Sequence, residues 1–132
     1  MGTVRDILNQ QQRHALQSIH PSETVLAATQ KMNKFSIGAL LVIDNEENLV
    51  GIFTERDVLR RVVAAELSPS ATQVGDVMTT QVACCRLETS VDEARSIFRQ
   101  FRIRHLPVAD EEGKVRGLIS IGDLNAHHSN HQ

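Results

Sequence analysis

Two equivalent positions in the 132-residue sequence carry a hydroxyl residue followed three positions later by an aspartate, namely Thr54 with Asp57 and Ser120 with Asp123. Each pair follows an apolar segment containing a glycine, which predicts a strand that ends where a helix begins. Free backbone N–H groups at such a helix start bind phosphate, and a nearby carboxylate accepts two hydrogen bonds from a ribose diol. The same spacing is that of a capping box, which only stabilises the first helical turn. Both interpretations can hold together, and the duplication favours binding.

The motif recurs because the sequence contains an internal repeat. A shift of 66 residues aligns the two halves without a gap, with ten identical residues across the 38 positions from Ser22 to Leu59. A shift of 70 gives a weaker match of residues 6–8 to residues 76–78. We expect a first repeat at residues 1–67, a linker at 68–73, a second repeat at 74–126 and a polar tail at 127–132. Halves of this size are marginally stable alone, so they are expected to pack face to face about a pseudo-twofold axis.

Each half predicts the element order β-α-β-β-α, and the fold class is therefore α+β. Apolar residues at helical spacing mark one long helix per half, with Val25, Ala28, Met32 and Phe35 in the first and Val91, Ala94, Phe98 and Phe101 in the second. A hairpin follows each long helix, and a short extended stretch precedes it, most clearly at Gln81 to Cys85. The helix after Thr54 is expected to run through Val63, whereas the helix after Ser120 is expected to be truncated because residues 125–132 are polar.

Composition excludes several classes of protein. The net charge is −2, and the sequence has no Trp or Tyr and four Phe, so neither phosphate-backbone binding nor base stacking is favoured. No apolar run reaches the roughly 18 residues of a membrane span, and residues 1–12 lack a signal-peptide pattern. We therefore expect a cytoplasmic protein that binds neither nucleic acid nor membrane. A nucleophile elbow, a Walker-type loop and a His-Glu-x-x-His pair are all absent from the sequence, so no enzyme activity and no catalytic residue are predicted.

The duplicated apolar-Gly-x-x-Thr/Ser-x-x-Asp segment resembles the tandem CBS domain pair, or Bateman module, of the stand-alone type. The sequence Ile103-Arg104-His105-Leu106-Pro107-Val108, which precedes the second copy, belongs to the same resemblance. The likeness extends from about Val4 to Asn125. It implies two halves that form a disc, with two clefts that bind adenosine-containing molecules. It also implies a regulatory rather than a catalytic role.

The resemblance assigns the ligand-binding residues by position. It implies that Asp57 and Asp123 bind ribose, with Thr54 and Ser120 beside them for ribose or phosphate. Each implied cleft combines residues of both halves. The cleft of Asp123 includes the segment 17–20, which contains Ile19, and the residues Ser36, Ile37 and Gly38. The cleft of Asp57 includes the segment 80–83, which contains Thr80 and Ala83, and the residues Ile103, Arg104 and His105. Arg104, His105 and Arg56 are the candidate phosphate partners. Because Gly38 and Gly122 stand where the other half has Arg104 and Arg56, we expect tighter phosphate binding on the Asp57 side.

The predicted function is a regulatory module that binds an adenosyl nucleotide (AMP or ATP first, then ADP, NAD or S-adenosylmethionine) and reports to an effector protein. Apolar residues beyond what one helix face can bury predict a homodimer: Val58, Leu59, Val62 and Val63. The alternatives are a ligand-independent interaction module of the same fold and a small enzyme acting on a nucleotide. His105 also fits a purely structural role. Cys84 and Cys85 are interpreted as packing residues, one inward and one outward, and the histidines of the tail as solvated rather than metal-binding.

Overall fold

The computed structural model describes the backbone of residues 2–11 and 17–130, and the side chains of these residues up to His127. A helix-period apolar stripe and an apolar hairpin in each half account for the main elements. In chain order these elements are α1 (Val4–Gln10), β1 (Ser18–Ile19), α2 (Val25–Phe35), β2 (Ala39–Ile43), β3 (Leu49–Thr54), α3 (Glu55–Asp57), which continues as a π-helix (Val58–Val63), α4 (Val74–Val77), α5 (Val91–Phe101), β4 (His105–Ala109), β5 (Val115–Ser120) and α6 (Ile121–Asn130). The mixed α+β class is confirmed.

Two compact units divide the chain. One unit comprises residues 17–82, and the other comprises the described residues of 1–16 and 83–132. Helix α1 therefore belongs to the unit that contains the second repeat, and α4 belongs to the unit that contains the first. This division differs from the repeat boundaries expected from the sequence. Helix α1 packs in the core of the unit that contains the second repeat, where Val4 and Ile7 are buried.

The unit of residues 17–82 contains a three-stranded sheet in the order β1-β2-β3. Strand β1 pairs parallel to β2, and β2 pairs antiparallel to β3 with Ala39 opposite Thr54. The helices α2 and α4 and the π-helix supply the rest of its apolar core, which consists of Ile19, Val25, Ala28, Met32, Leu40, Val42, Phe53, Val62, Val74 and Val77. The β-α-β-β-α order predicted for this half is confirmed.

The other unit contains the antiparallel pair β4-β5, in which His105 lies opposite Ser120. The extended stretch before α5, expected to be the clearer of the two, is reduced to a single bridge between Cys85 and Val108. The corresponding stretch in the first half forms the regular strand β1. The core of this unit consists of Val4, Ile7, Cys85, Val91, Ala94, Phe98, Leu106, Val108, Ile119 and Leu124.

The two phenylalanines that end the predicted helical stripes do not lie in the core. Phe35 is 43% exposed and Phe101 is 54% exposed. Both long helices end at these residues because Ser36 and Arg102 adopt the left-handed backbone conformation, with φ of 53° in each. The next residue, Ile37 in the first case, then turns back to the core and its N–H donates to the carbonyl of Met32. The helical period therefore predicts the wrong residue in the last turn.

Helix α6 is not truncated. It extends to Asn130, and Leu124 and His127 on it are both buried. The ring Nδ1 of His127 lies 3.1 Å from the Gln10 side-chain oxygen on α1. The expectation of a frayed tail beginning at residue 127 is therefore wrong for His127, because a polar ring with a hydrogen-bonding partner can be buried. Residues 131 and 132 lie outside the described residues.

Both hairpins are closed by the same carboxylate arrangement. Asp44 accepts hydrogen bonds from the backbone N–H groups of Glu46 and Asn48, and Asp110 accepts them from Glu112 and Lys114. The backbone hydrogen bond from Asn48 lowers the pKa of Asp44, and that from Lys114 lowers the pKa of Asp110. Because both pKa values are lowered on folding, these turns stabilise the fold at neutral pH and lose that contribution as the pH falls through the lowered values.

The adjacent cysteines point in opposite directions, as the alternation of an extended chain predicts: Cys84 is exposed and Cys85 is buried. Burial raises the pKa of the Cys85 thiol from 9.0 to about 12, and the neighbouring Cys84 adds to this shift. We expect a disulfide exchange reagent at pH 8 to label one thiol of the native protein and two in denaturant. The Cys84→Ser variant should show none in the native state. Equal labelling rates for both native thiols would contradict this placement.

Candidate functional site

The first motif lies where β3 ends and α3 begins. Thr54 is extended, with φ of −123°, and its hydroxyl accepts a hydrogen bond from the N–H of Asp57 at 3.2 Å. In return, Oδ2 of Asp57 accepts hydrogen bonds from the Thr54 N–H at 3.0 Å and the Thr54 hydroxyl at 3.2 Å. The capping-box interpretation is therefore confirmed, and it fixes the orientation of the carboxylate at the helix start.

The carboxylate of Asp57 is held from a second side as well. Its Oδ1 accepts a hydrogen bond from the Thr79 hydroxyl at 3.0 Å, and the Arg61 Nε lies 3.7 Å away. Thr79 is itself fixed, because it exchanges two backbone hydrogen bonds with Ile52 on β3. Asp57 is only 6% exposed. The side chain is therefore a buried carboxylate with donors on both oxygens.

The second motif repeats this geometry at the start of α6 with different partners. The Ser120 hydroxyl accepts from the N–H of Asp123 at 3.0 Å, and Oδ2 of Asp123 accepts from the Ser120 N–H at 2.8 Å. The Gln11 side-chain amide donates to the same Oδ2 at 3.0 Å and to the Leu118 carbonyl at 2.8 Å. Asp123 is half-buried, so it is more accessible than Asp57.

The loop before β2 lies beside the first helix start. The Gly38 carbonyl accepts from the N–H of Glu55 at 3.0 Å, and a side chain at position 38 would meet the Glu55 carboxylate at 2.6 Å. Exposed Ser36 and half-buried Ile37 line one concave pocket of about 410 Å³ in this unit, together with Thr29, Met32, Asn33, Glu55 and Val58. Asp57 is not among the lining residues.

Three other predicted residues of this unit have no part in that pocket. Ile19 lies in the apolar core, whereas Arg56 and Thr80 are exposed. Because Arg56 is exposed, its guanidinium is available to an anion, which the expected role as a phosphate partner requires. Ile19 is 7% exposed, and its side chain packs in this core.

The corresponding loop of the other unit lies beside the start of α6. Ile103 packs partly on the core, and the carbonyl of exposed Arg104 accepts from the N–H of Ile121 at 2.9 Å. His105 pairs with Ser120 across β4 and β5, and half-buried Ala83 packs against the same core. The structure therefore brings Arg104 and His105 to the helix start that carries Ser120 and Asp123.

Three residues that contact the two acids were missed by sequence reasoning. Arg61 could have been found, because it lies four positions after Asp57 on a predicted helix, where opposite charges meet. Thr79 lies 22 residues from Asp57, and Gln11 lies 112 residues from Asp123. No local pattern indicates contacts over such separations.

Within residues 2–11 and 17–130, no group of three or more His, Cys, Asp or Glu could hold a metal ion. Over the same residues, no helix is both long enough and apolar enough to cross a membrane.

Comparison with known proteins identifies the family. The CBS domain model matches residues 4–64 and 74–128. The structure of a CBS-domain protein from Burkholderia ambifaria superposes with a TM-score of 0.91 at 39% identity, covering 98% of this chain and 96% of the other. The mitochondrial CBS domain-containing protein CBSX3 of Arabidopsis thaliana is 38% identical over 106 residues, which is 77% of this chain.

The relatives that match in sequence are longer than this chain, which spans 51% of CBSX3 and 19% of another Arabidopsis thaliana relative, CBSCBSPB1. A further solved structure, CBSX2 in complex with AMP, is 27% identical with a TM-score of 0.83 and covers 98% of both chains. Because the CBS model matches both repeats, the chain belongs to the CBS-domain family, as a tandem CBS pair.

Proposed function

We propose that this protein is a regulatory module that binds an adenosine-containing ligand at its two strand-to-helix junctions. The observation that carries the proposal is the duplicated, preorganised carboxylate at each helix start, Asp57 and Asp123, each oriented by a capping box. A carboxylate held in one orientation accepts a ribose diol without losing side-chain entropy. The likeness to CBSX2, whose structure contains AMP, supports this ligand class.

The remaining predicted residues take roles that follow from their chemistry. Thr54 and Ser120 carry hydroxyls at the helix starts, where N–H groups and the helix dipole favour phosphate. Arg104, Arg56 and His105 are the proposed phosphate partners, and the two arginines are exposed as an anion site requires. AMP and ATP are therefore the first ligands to test. A bound ligand would shift the population of conformations that an effector protein recognises.

A thermal-shift screen tests this function. We expect AMP or another adenosyl compound (ADP, ATP, NAD or S-adenosylmethionine) at one hundred times its dissociation constant to stabilise the protein by about 2.7 kcal/mol. Inorganic phosphate serves as a control for phosphate binding alone. Chromatography of the incubated ligand separates regulation from catalysis, since a regulatory module returns AMP and ATP unchanged. No shift with any adenosyl compound at millimolar concentration would refute the proposal.

The second candidate is an interaction module of the same fold that works without ligand. It is favoured by Asp57, whose two oxygens already accept hydrogen bonds from Thr54 and Thr79. A carboxylate used in this way stabilises the unit without any ligand. A flat thermal-shift screen combined with capture of a defined effector would favour this candidate over the first.

We also propose that the protein forms a homodimer through the exposed face of the π-helix. Val62 is buried and Val58 half-buried, but Leu59 is 62% exposed and Val63 is 60% exposed. Arg60 and Glu66 in the same exposed segment would place opposite charges together in an antiparallel pair of copies. A second copy is therefore the partner whose chemistry fits this face.

Light scattering tests the dimer. We expect wild type to have twice the monomer mass at micromolar concentration and the Leu59→Glu/Val63→Glu variant to be monomeric, because two buried charges oppose association. The matched control is Leu26→Glu, which changes an exposed leucine on α2. A monomeric wild type, or a dimer that survives both substitutions, would contradict the proposal.

A further inference from the structure

The pocket of the unit of residues 17–82 has a counterpart of opposite charge in the other unit. Three neutral residues along α2 and its C-cap line the pocket, Thr29, Asn33 and Ser36, and its one charged lining residue is Glu55. Between the two equivalent sets of positions the formal charge changes from −1 to +3. We call the second set the arginine face, and the shift of 66 residues defines it as Arg95, Arg99, Arg102 and Ile121.

The backbone around the two sets is the same. Helices α2 and α5 are both eleven residues long, and each ends at a left-handed C-cap residue with φ of 53°. The N–H of Glu55 donates to the Gly38 carbonyl at 3.0 Å, and the N–H of Ile121 donates to the Arg104 carbonyl at 2.9 Å. Since the three residues along α2 share a pocket with Glu55, the arginines at the equivalent positions of α5 face the start of α6.

The three arginines are unpaired in the part of the chain that the structure describes. Over residues 2–11 and 17–130, none of them forms an ion pair or a side-chain hydrogen bond. Arg99 and Arg102 are exposed, and Arg95 is half-buried. Arg95 and Arg99 are four positions apart on one helix, where like charges destabilise it. The helix dipole favours cations only in the last turn, so it does not account for Arg95.

The nearest carboxylates limit what can cover the arginine face. On α6, Asp123 already accepts hydrogen bonds from the Ser120 N–H and the Gln11 amide. In the first turn of α5, Asp92 and Glu93 are exposed. A nucleic acid or an anionic membrane extends over many charges, and it would meet these two carboxylates as well as the arginines. A short row of acidic side chains covers the arginines alone.

We propose that the arginine face binds an acidic helix of the effector protein. Side chains four positions apart on a helix are about 5–6 Å apart, so glutamates at this spacing on a partner helix match Arg95 and Arg99. Guanidinium groups bind carboxylates through two parallel hydrogen bonds. An apolar residue of the same partner helix would cover Ile121, which is 42% exposed. The inference rests on the part of the proposed function that names an effector, and it specifies the chemistry of that effector.

Fluorescence anisotropy of a labelled synthetic peptide tests the proposal without any nucleotide. The probe is a helical peptide with glutamates at positions i, i+4 and i+7 and a leucine beside them, and its matched control carries glutamines instead. At low salt we expect wild type to bind the glutamate peptide about ten times more tightly than the glutamine peptide. Equal affinities, or no binding of either peptide at millimolar concentration, would overturn the proposal.

Substitutions locate the peptide on the protein. Arg99→Gln/Arg102→Gln should abolish the preference for glutamate. Arg5→Gln/Arg86→Gln changes the net charge equally at two other exposed arginines and should keep the preference. Should the first variant fail to fold, Arg99→Glu/Arg102→Glu takes its place, and it should prefer a lysine version of the peptide. Loss of the preference in the Arg5/Arg86 variant, or its survival in the Arg99/Arg102 variants, would overturn the proposal.

Competition experiments distinguish the effector from other occupants of this face. Saturating ATP at constant ionic strength should leave the peptide bound, whereas complete displacement would assign the arginines to the nucleotide site and overturn the inference. Tighter binding of single-stranded RNA or of phosphatidylserine vesicles, lost in Arg99→Gln/Arg102→Gln, would overturn it too. A change in the mass of that variant by light scattering would show that a second copy covers the face, with the same consequence.

Failure of the inference and failure of the proposed ligand can be told apart. The peptide assay contains no nucleotide, so a negative result there leaves the binding of an adenosyl compound standing. A flat thermal-shift screen with a positive peptide assay would instead remove the ligand and keep the arginine face as the docking surface of an interaction module.

Discussion

Replacing Asp57 by alanine is expected to lower the free energy of unfolding by about 2–4 kcal/mol. The carboxylate is almost fully buried and accepts hydrogen bonds from the Thr54 N–H, the Thr54 hydroxyl and the Thr79 hydroxyl. Its removal leaves these donors unpaired inside the unit and removes half of a capping box. Denaturant unfolding followed by circular dichroism measures the difference.

The equivalent substitution in the other unit is the matched control. Asp123 is half-buried and accepts from the Ser120 N–H and the Gln11 amide, both of which can reach water when it is removed. Asp123→Ala should therefore destabilise by about 1 kcal/mol. Equal losses in the two variants would show that burial of Asp57 does not set its contribution.

Adding one methyl group at Gly51 is expected to destabilise the protein by about 3 kcal/mol. A Cβ at this position would lie 2.8 Å from the Thr79 carbonyl oxygen and 2.7 Å from the Met78 sulfur. The Thr79 backbone cannot retreat without breaking its two hydrogen bonds to Ile52. Any shift of Thr79 also moves its hydroxyl away from Asp57. Thermal unfolding of Gly51→Ala measures the effect.

Two other glycines provide controls of graded severity. For a Cβ at Gly117, the equivalent position in the repeat, the three nearest atoms all belong to the flexible Leu8 side chain, so Gly117→Ala should destabilise by about 1 kcal/mol. Gly122 lies in α6 with no contact closer than 3.5 Å, and Gly122→Ala should stabilise by about 0.5 kcal/mol. If Gly51→Ala proved as mild as Gly117→Ala, the backbone around Thr79 would be shown to yield.

The capping boxes of the site can be predicted from the sequence because their hydrogen bonds join residues that are only three positions apart. A hydroxyl three residues before a carboxylate at a strand end predicts both the helix start and the hydrogen bonds of the capping box, and Thr54 with Asp57 forms them. The long helices and hairpins followed from apolar periodicity for the same reason. The internal repeat then carried these predictions from one half to the other.

The remaining errors arise where distant contacts override local pattern. The sequence predicts that His127 lies in a polar tail, yet it is buried and pairs with Gln10, a residue 117 positions away. Phe35 continues the helical period but is exposed, because Ser36 turns the chain and Ile37 reaches the core instead. The difference between Asp57 and Asp123 depends on Thr79 and Gln11, whose contacts appear only in three dimensions.

A titration with AMP followed by amide NMR tests most directly whether a nucleotide sugar sits at these junctions. The account predicts saturable shifts that are largest for the backbone amides at the two helix starts, residues 54–57 and residues 120–123, next to the Asp57 and Asp123 carboxylates. Shifts confined to the exposed face of α5, or unchanged spectra at saturating AMP, would contradict it.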